Sequence, residues 1–473
     1  MAAERLHLVG FCGSGMAGLA VMLKQLGHSV SGSDEAAYPP MSDILAAEAI
    51  PILPFSPANL ADGIDRIVIG AGVPRRNPEF AAAVESRIPM ISYPAALARY
   101  VIDAGHPAHV VAGTHGKTTT TSMLAWIHDT AGTGAGFFVG GIPRNLGRGA
   151  RLPHAAAPLI IEGDEYKSSN LDPTPKFLHY RPALAVITNV EFDHGDVFDD
   201  LPAVMSAFAG LAARVDAGGA IVTTAGDDVV GAIAASARCR VVTVGREQRH
   251  DWRIVEEAYQ PQPSFALAAS DGQRLGPLRL AIPGRHNVDN AALAAVSARL
   301  AGVGAAAIVQ ALATFAGARQ RLEPVAEAGG LRVISDFAHH PSEVAASIAA
   351  LKQAAPDRRV WAVFEPRSAT SKSPRFHDAY RAALGTADRV TIFAVPPLTY
   401  ARPTLDCHAL ARAIGGDGTP AAAAADIEAI LAELVAEARA GTDVLIMSSG
   451  PFGGLAGRLA AMIAADRTAT GPA

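Results

Sequence analysis

The residues in this chain most suited to chemistry begin with Gly113-Thr114-His115-Gly116-Lys117-Thr118-Thr119-Thr120-Thr121, which directly follows an apolar run at 109–112. Glycines let backbone N–H groups crowd around phosphate oxygens, and a helix that starts there adds its positive pole. In such a loop Lys117 would reach the β- and γ-phosphates and Thr118 would hold Mg²⁺. Gly113, Thr114, His115, Gly116 and Thr119 would line the nucleotide. The spacing departs from GxxxxGK[ST], because Val111 stands where the first glycine would be. The lysine stands out nonetheless: the chain has six lysines, Lys24, Lys117, Lys167, Lys176, Lys352 and Lys372, among 40 basic residues.

A second glycine cluster, Gly13-Ser14-Gly15-Met16-Ala17-Gly18, follows the first apolar run, with Ser33 and Asp34 ending the next one. It suits a nucleotide diphosphate at a helix N-terminus. A dinucleotide, another diphosphate ligand and simple tight packing all satisfy it. Two further apolar runs end in acids: Glu162-Gly163-Asp164-Glu165, and Asn189-Val190-Glu191-Phe192-Asp193-His194. Carboxylates and an imidazole at strand ends can hold a hard cation, here Glu165 and His194 with Thr118. The blander readings are a solvated acidic turn and a satisfied structural histidine. Gly284-Arg285-His286-Asn287-Val288-Asp289-Asn290 opens a helix, so its histidine and amides either cap that helix or read an adenine edge. Arg321 and Asp336, with His339 close behind, flank a hinge. They would serve a phosphate, a ribose or a metal, or form an interdomain salt bridge. Glu365-Pro366-Arg367-Ser368-Ala369-Thr370-Ser371-Lys372 places two cations among hydroxyls at a strand end. That segment suits a carboxylate-bearing ligand or is a solvated loop.

Elements that position these groups can be read from the apolar periodicity. Strand-like runs at 6–11, 29–33, 67–70 and 89–92 alternate with helical ones. Further runs at 109–112, 159–162, 183–188, 220–223 and 241–244 are followed by helices at 287–300 and 305–315. A third set at 332–336, 359–364, 389–393 and 443–447 alternates with helices at 342–354, 373–384, 404–413 and 424–440. The alanine run at 421–425 reads as a helix start. Alternation of this kind predicts an α/β fold of three domains, each a mostly parallel sheet with helices on both faces. The boundaries fall at 1–106, 107–318 and 319–473. A length of 473 residues agrees with about three domains.

A net charge of -5 argues against a general nucleic-acid binder. Cys12, Cys239 and Cys407 are scattered, which excludes a disulfide framework and fits a reducing cytoplasm. No signal peptide and no membrane span are expected.

The motifs GTHGKTTT, Asp164-Glu165, NVEFDH, GRHNVDN and DFAHHP occur in this order, and together they resemble the Mur ligases over essentially the whole chain. The N-terminal GSGMAG with Ser31-Gly32-Ser33-Asp34 is similar to the UDP-muramate–alanine ligase branch. Tyr38-Pro39-Pro40-Met41, Asp164-Glu165-Tyr166, His179-Tyr180-Arg181-Pro182, Phe192-Asp193-His194 and Glu365-Pro366-Arg367-Ser368 resemble its peptide-recycling members. The resemblance implies a UDP-sugar-binding first domain, an ATP-binding second and a third that closes over both. It implies ATP and Mg²⁺ as cofactors. The substrates would be UDP-N-acetylmuramate and the tripeptide L-Ala-γ-D-Glu-meso-diaminopimelate, with free L-alanine as the alternative amine. Lys117, Glu165, His194, Arg321 and Asp336 would be catalytic, and His286, Asn287 and Asn290 would bind nucleotide. Gly13, Ser14, Gly15, Met16, Ser33, Asp34, His339, Arg367 and Lys372 would bind substrate. Several family members carry a carbamylated lysine after the Asp-His pair, but residues 195–219 here contain none. A nicotinamide dehydrogenase would leave GTHGKT without a purpose, and a non-catalytic UDP-sugar binder would not need Lys117, Glu165 and His194 together.

Overall fold

The computed structural model describes residues 2–37, 41–60, 63–193, 197–224, 227–394 and 404–469. Three sheets follow one another along the chain. The first has strand order Ile52–Leu53, Ser29–Ser33, Arg5–Val9, Arg66–Ile69, Met90–Ser92, and every pairing is parallel. The central strands Arg5–Val9 and Arg66–Ile69 are mostly apolar and are buried beyond their first residues, as a sheet covered by helices on both sides requires.

The second sheet has ten strands. Ala108–Ala112 is flanked by Leu159–Glu162 on one side and Pro182–Ile187 on the other, all parallel. The segments after these three strands therefore open on one edge of the sheet, where α/β proteins gather ligands. The sheet continues through Ala220–Thr224 and Arg240–Gly245 into Trp252–Ala258, Ser264–Ala269 and Arg274–Arg279. Those last three pair antiparallel with one another. Periodicity did not reveal them; in Arg274–Arg279 Gly276 and Pro277 interrupt the alternation that marks a strand.

The third sheet runs Glu323–Ala328, Leu331–Asp336, Thr442–Met447, Arg359–Phe364, Arg389–Phe393, Ala421–Ala424. Only the first pairing is antiparallel among the described strands. The alanine run is thus an edge strand and not a helix start. Alanine favours helix locally, but Asp426 caps the helix Ile427–Glu437 by accepting from Glu428 N, so the helix begins beyond the run. Residues 421–424 satisfy their backbone by pairing with Val390–Phe393.

The first and second sheets share one apolar core, joined through Tyr93, Tyr100, Phe138 and Tyr180. The third packs around separate cores and meets the second through short segments: Pro143 bridges Ala318, and Arg319 N donates to Ile142 O. No helix among the described residues is long and apolar enough to cross a membrane.

Candidate active site

The loop after Ala108–Ala112 turns at two glycines that a side chain would spoil. Gly113 has φ +139 and lies against the Thr188 hydroxyl. Gly116 has φ +78, and a Cβ there would stand 2.5 Å from Asn290 Oδ1. The helix Lys117–Thr130 starts immediately after it. Asn189 fastens the loop from the neighbouring strand end: its backbone carbonyl accepts from Thr114 N, and its side chain accepts from His115 N at 2.8 Å.

Lys117 is buried, and its Nζ lies 3.0 Å from Glu165 Oε2. It also donates to the carbonyls of Gly113 and Thr114. Burial opposes the Lys117 charge, but the carboxylates of Glu165, Asp164 and Glu162 together outweigh it and hold the ammonium above its usual range. The Thr118 hydroxyl donates to Glu162 Oε1 at 2.7 Å and accepts from Arg321 Nη2 at 3.2 Å. The structure therefore sets Glu165 on the lysine and Glu162 on the threonine. Sequence reasoning quoted Glu162 but passed it over; its place as the last residue of Leu159–Glu162, beside the loop strand, was the available signal. Burial and the neighbouring Asp164 push the Glu162 carboxyl up. His194 lies outside the described residues.

Histidines and acids knit the loop to the third sheet. His115 Nδ1 is 3.2 Å from Glu343 Oε1, and its Nε2 is 3.6 Å from Glu191 Oε2. Burial works against an imidazolium here, but Glu343 and Glu191 raise His115 to about 10. Glu343 also lies 3.2 Å from His339 Nδ1. It accepts from the His339 and His340 backbone N–H groups, at the start of the helix Pro341–Ala354. Ser342 donates to Glu191, and Thr370 donates to Asp193. Neither Glu191 nor Glu343 was singled out from the sequence.

A cavity of about 830 Å³ takes in His115 to Thr119, Asn287, Asn290, Arg321, Asp336 and His339. His286 lines it too, and burial lowers that imidazole to about 4. Asn287 donates to Pro283 O at 2.6 Å, and Asn290 donates to Asn287 at 3.3 Å. At the far end Arg246 binds Glu257 and Asp289, an ion triplet that no sequence motif flagged. Asp336 spends its carboxylate on the hinge, accepting from Leu322 N at 2.6 Å and Ala338 N at 2.7 Å. It clasps the hinge backbone while lining the cavity.

A second cavity, about 440 Å³, is lined by Gly13, Ser14, Gly15, Met16 and Asp34. The helix Ser14–Gln25 begins there. Asp34 accepts from Cys12 N at 2.7 Å, which fixes the loop backbone. Ser33, expected at this loop, is instead fully buried, donates to Glu79 and is not among the residues that line this cavity. Glu79 also holds His7, so the serine completes an internal polar cluster. Ser14, Gly140, Glu162 and Asp164 line both cavities, so the two abut. Arg367 is half exposed, 3.7 Å from Glu365, and Lys372 is partly buried; both lie outside the described lining of either cavity.

Three family models match the chain: "Mur ligase family, catalytic domain" over 5–103, "Mur ligase middle domain" over 111–298 and "Mur ligase, glutamate ligase domain" over 320–450. The UDP-N-acetylmuramate–L-alanyl-γ-D-glutamyl-meso-2,6-diaminoheptandioate ligase of Escherichia coli is 36% identical over 95% of this chain and 96% of its own. A UDP-N-acetylmuramate–L-alanine ligase of Kineococcus radiotolerans is 37% identical over 83% of this chain and 81% of its own. The crystal structure of a murein peptide ligase from Psychrobacter arcticus superposes with TM-score 0.74 at 28% identity, covering 98% of this chain and 99% of that one. This chain belongs to the Mur ligase family and is an ATP-dependent, amide-bond-forming ligase.

Proposed function

We propose that the protein joins the lactyl carboxylate of UDP-N-acetylmuramate to the amine of L-Ala-γ-D-Glu-meso-diaminopimelate, in peptidoglycan recycling. The observation that carries this is the near full-length similarity to the Escherichia coli ligase for that peptide. The abutting cavities suit the reaction, because they give a diphosphate loop and a phosphate loop one common wall.

Amide formation in water is uphill, so the acid is activated first. A carboxylate oxygen attacks the γ-phosphorus, the bond to the bridging oxygen breaks, and ADP leaves with that electron pair. The peptide amine then attacks the acyl carbon, loses a proton, and inorganic phosphate departs. Both steps bring anions together, so positioning and charge compensation dominate. Lys117 is placed to meet the phosphates, and Arg321 brings a second cation to Thr118 from the third sheet. The Thr118 hydroxyl and the Glu162 carboxylate, with Asp164 beside them, form an all-oxygen set suited to a hard cation. When bound, it would screen the triphosphate charge. Residues 195–219 contain no lysine to carbamylate, so activity should not respond to bicarbonate.

The second reading, ligation of free L-alanine, is favoured by the 37% identity to an alanine ligase, over a shorter span. Comparing the two amines at equal concentration decides between them. The expected result is a higher kcat/KM for the tripeptide, and an equal or higher value for L-alanine would overturn the proposal. Arg367→Ala should raise KM for the tripeptide and leave that for ATP unchanged.

A further inference from the structure

Lys176 is used by nothing described above, yet it is one of six lysines in the chain and it is buried at the wall between the two cavities. It sits on the short turn Lys176–His179, at the end of a loop that follows Glu165. Contacts to the first domain hold that loop down. Asn170 donates to Val73 O at 2.6 Å, Arg75 donates to Asn170 O, and Ser92 donates to Asp172 at 2.9 Å. His179 lies 2.8 Å from Asp172.

The Lys176 ammonium is 2.8 Å from Asp164 Oδ2. It faces the Tyr93 ring at 5.3 Å and the Tyr166 ring at 5.1 Å. Tyr93 stands beside Gly15 of the diphosphate loop, and Tyr166 is the ring that Lys117 also faces, at 5.9 Å. Lys176 therefore lies on the line of contacts from one loop to the other. Among the described residues lining the smaller cavity it is the one cation, beside the carboxylates of Asp34, Glu35, Glu162 and Asp164. An acid whose diphosphate rests on Ser14–Met16 must carry its carboxylate through that acidic wall to reach Lys117.

We infer that Lys176 grips the carboxylate of the sugar acid and aims it at the phosphate loop; the inference rests on the substrate class proposed above. The alternative is a purely structural pair with Asp164. Binding distinguishes them, using UDP-N-acetylmuramate and UDP-N-acetylglucosamine, which lacks the lactyl carboxylate. Titration calorimetry on wild type, Lys176→Met and Lys176→Arg would read the preference for the acid over the neutral sugar. Loss of a charged hydrogen bond should cut that preference roughly 10- to 100-fold in Lys176→Met, with arginine restoring part of it and UDP-N-acetylglucosamine affinity nearly constant. If Lys176→Met melts early, the charge-balanced Lys176→Met/Asp164→Asn variant carries the same comparison. An unchanged preference, or equal weakening of both ligands, would overturn the assignment alone. A wild type that binds no UDP-N-acetylmuramate would overturn the substrate reading and this assignment with it.

Discussion

At the residue scale, Lys117 and Glu165 form a buried pair, and its geometry sharpens what truncation should do. Lys117→Ala removes a phosphate contact and is expected to slow ligation by on the order of 10³-fold or more, measured as single-turnover phosphate release. It also removes the counter-charge of Glu165. A fall in melting temperature should accompany it, which the loop motif by itself would not suggest. Glu162 and Glu165 separate by partner. Glu162→Ala should raise the Mg²⁺ concentration for half-maximal activity by roughly tenfold or more. Glu165→Ala should act mainly on turnover, through the lysine. An unchanged Mg²⁺ dependence in Glu162→Ala would remove that residue from the metal set.

Among the elements, the phosphate loop is the most constrained. Gly116→Ala puts a side chain at φ +78 and against Asn290 Oδ1, so it should cost more than about 1 kcal/mol, read from denaturant unfolding. The start of the helix Pro341–Ala354 makes a second prediction through Glu343. His115 has a folded-state pKa of about 10, raised above the ordinary histidine value of about 6.5. A raised cation contributes stability that is fully present below about 6.5 and is lost as pH climbs through 10. Melting temperature should therefore decline across that alkaline window. Glu343→Gln should flatten the decline, because Glu343 is the leading group that holds His115 charged. A slope that Glu343→Gln leaves unchanged would refute the coupling.

For the whole molecule, the third domain reaches the phosphate loop through Arg321, and Asp336 clamps the adjoining backbone at Leu322. Closure that excludes water protects an acyl phosphate from hydrolysis. Arg321→Ala should raise KM for ATP and also uncouple the reaction, releasing more phosphate than amide product. A product-to-phosphate ratio equal to that of wild type would show that Arg321 does not maintain closure.

The sequence by itself determined the chemistry-bearing loops and their order. Gly113, Gly116 and Lys117 obey local rules: positive φ demands glycine, and a phosphate at a helix start demands a nearby cation. Most parallel strands at the sheet centres were legible for a similar reason, since burial on both faces leaves continuous apolar runs, whereas the short strands Ile52–Leu53 and Gly136–Phe138 and the alanines at 421–424 were not. The tertiary structure decided partners. Glu162 and Glu165 are three residues apart on one strand end and alike in type, and only the packing of Leu159–Glu162 against Ala108–Ala112 sends one to Thr118 and the other to Lys117. Ser33 reads as a loop ligand but turns inward to Glu79, a contact 46 positions away that no local pattern encodes. The alanines at 421–424 follow the same logic: their helix preference is local and weak, and a sheet edge with unpaired backbone beside them overrides it.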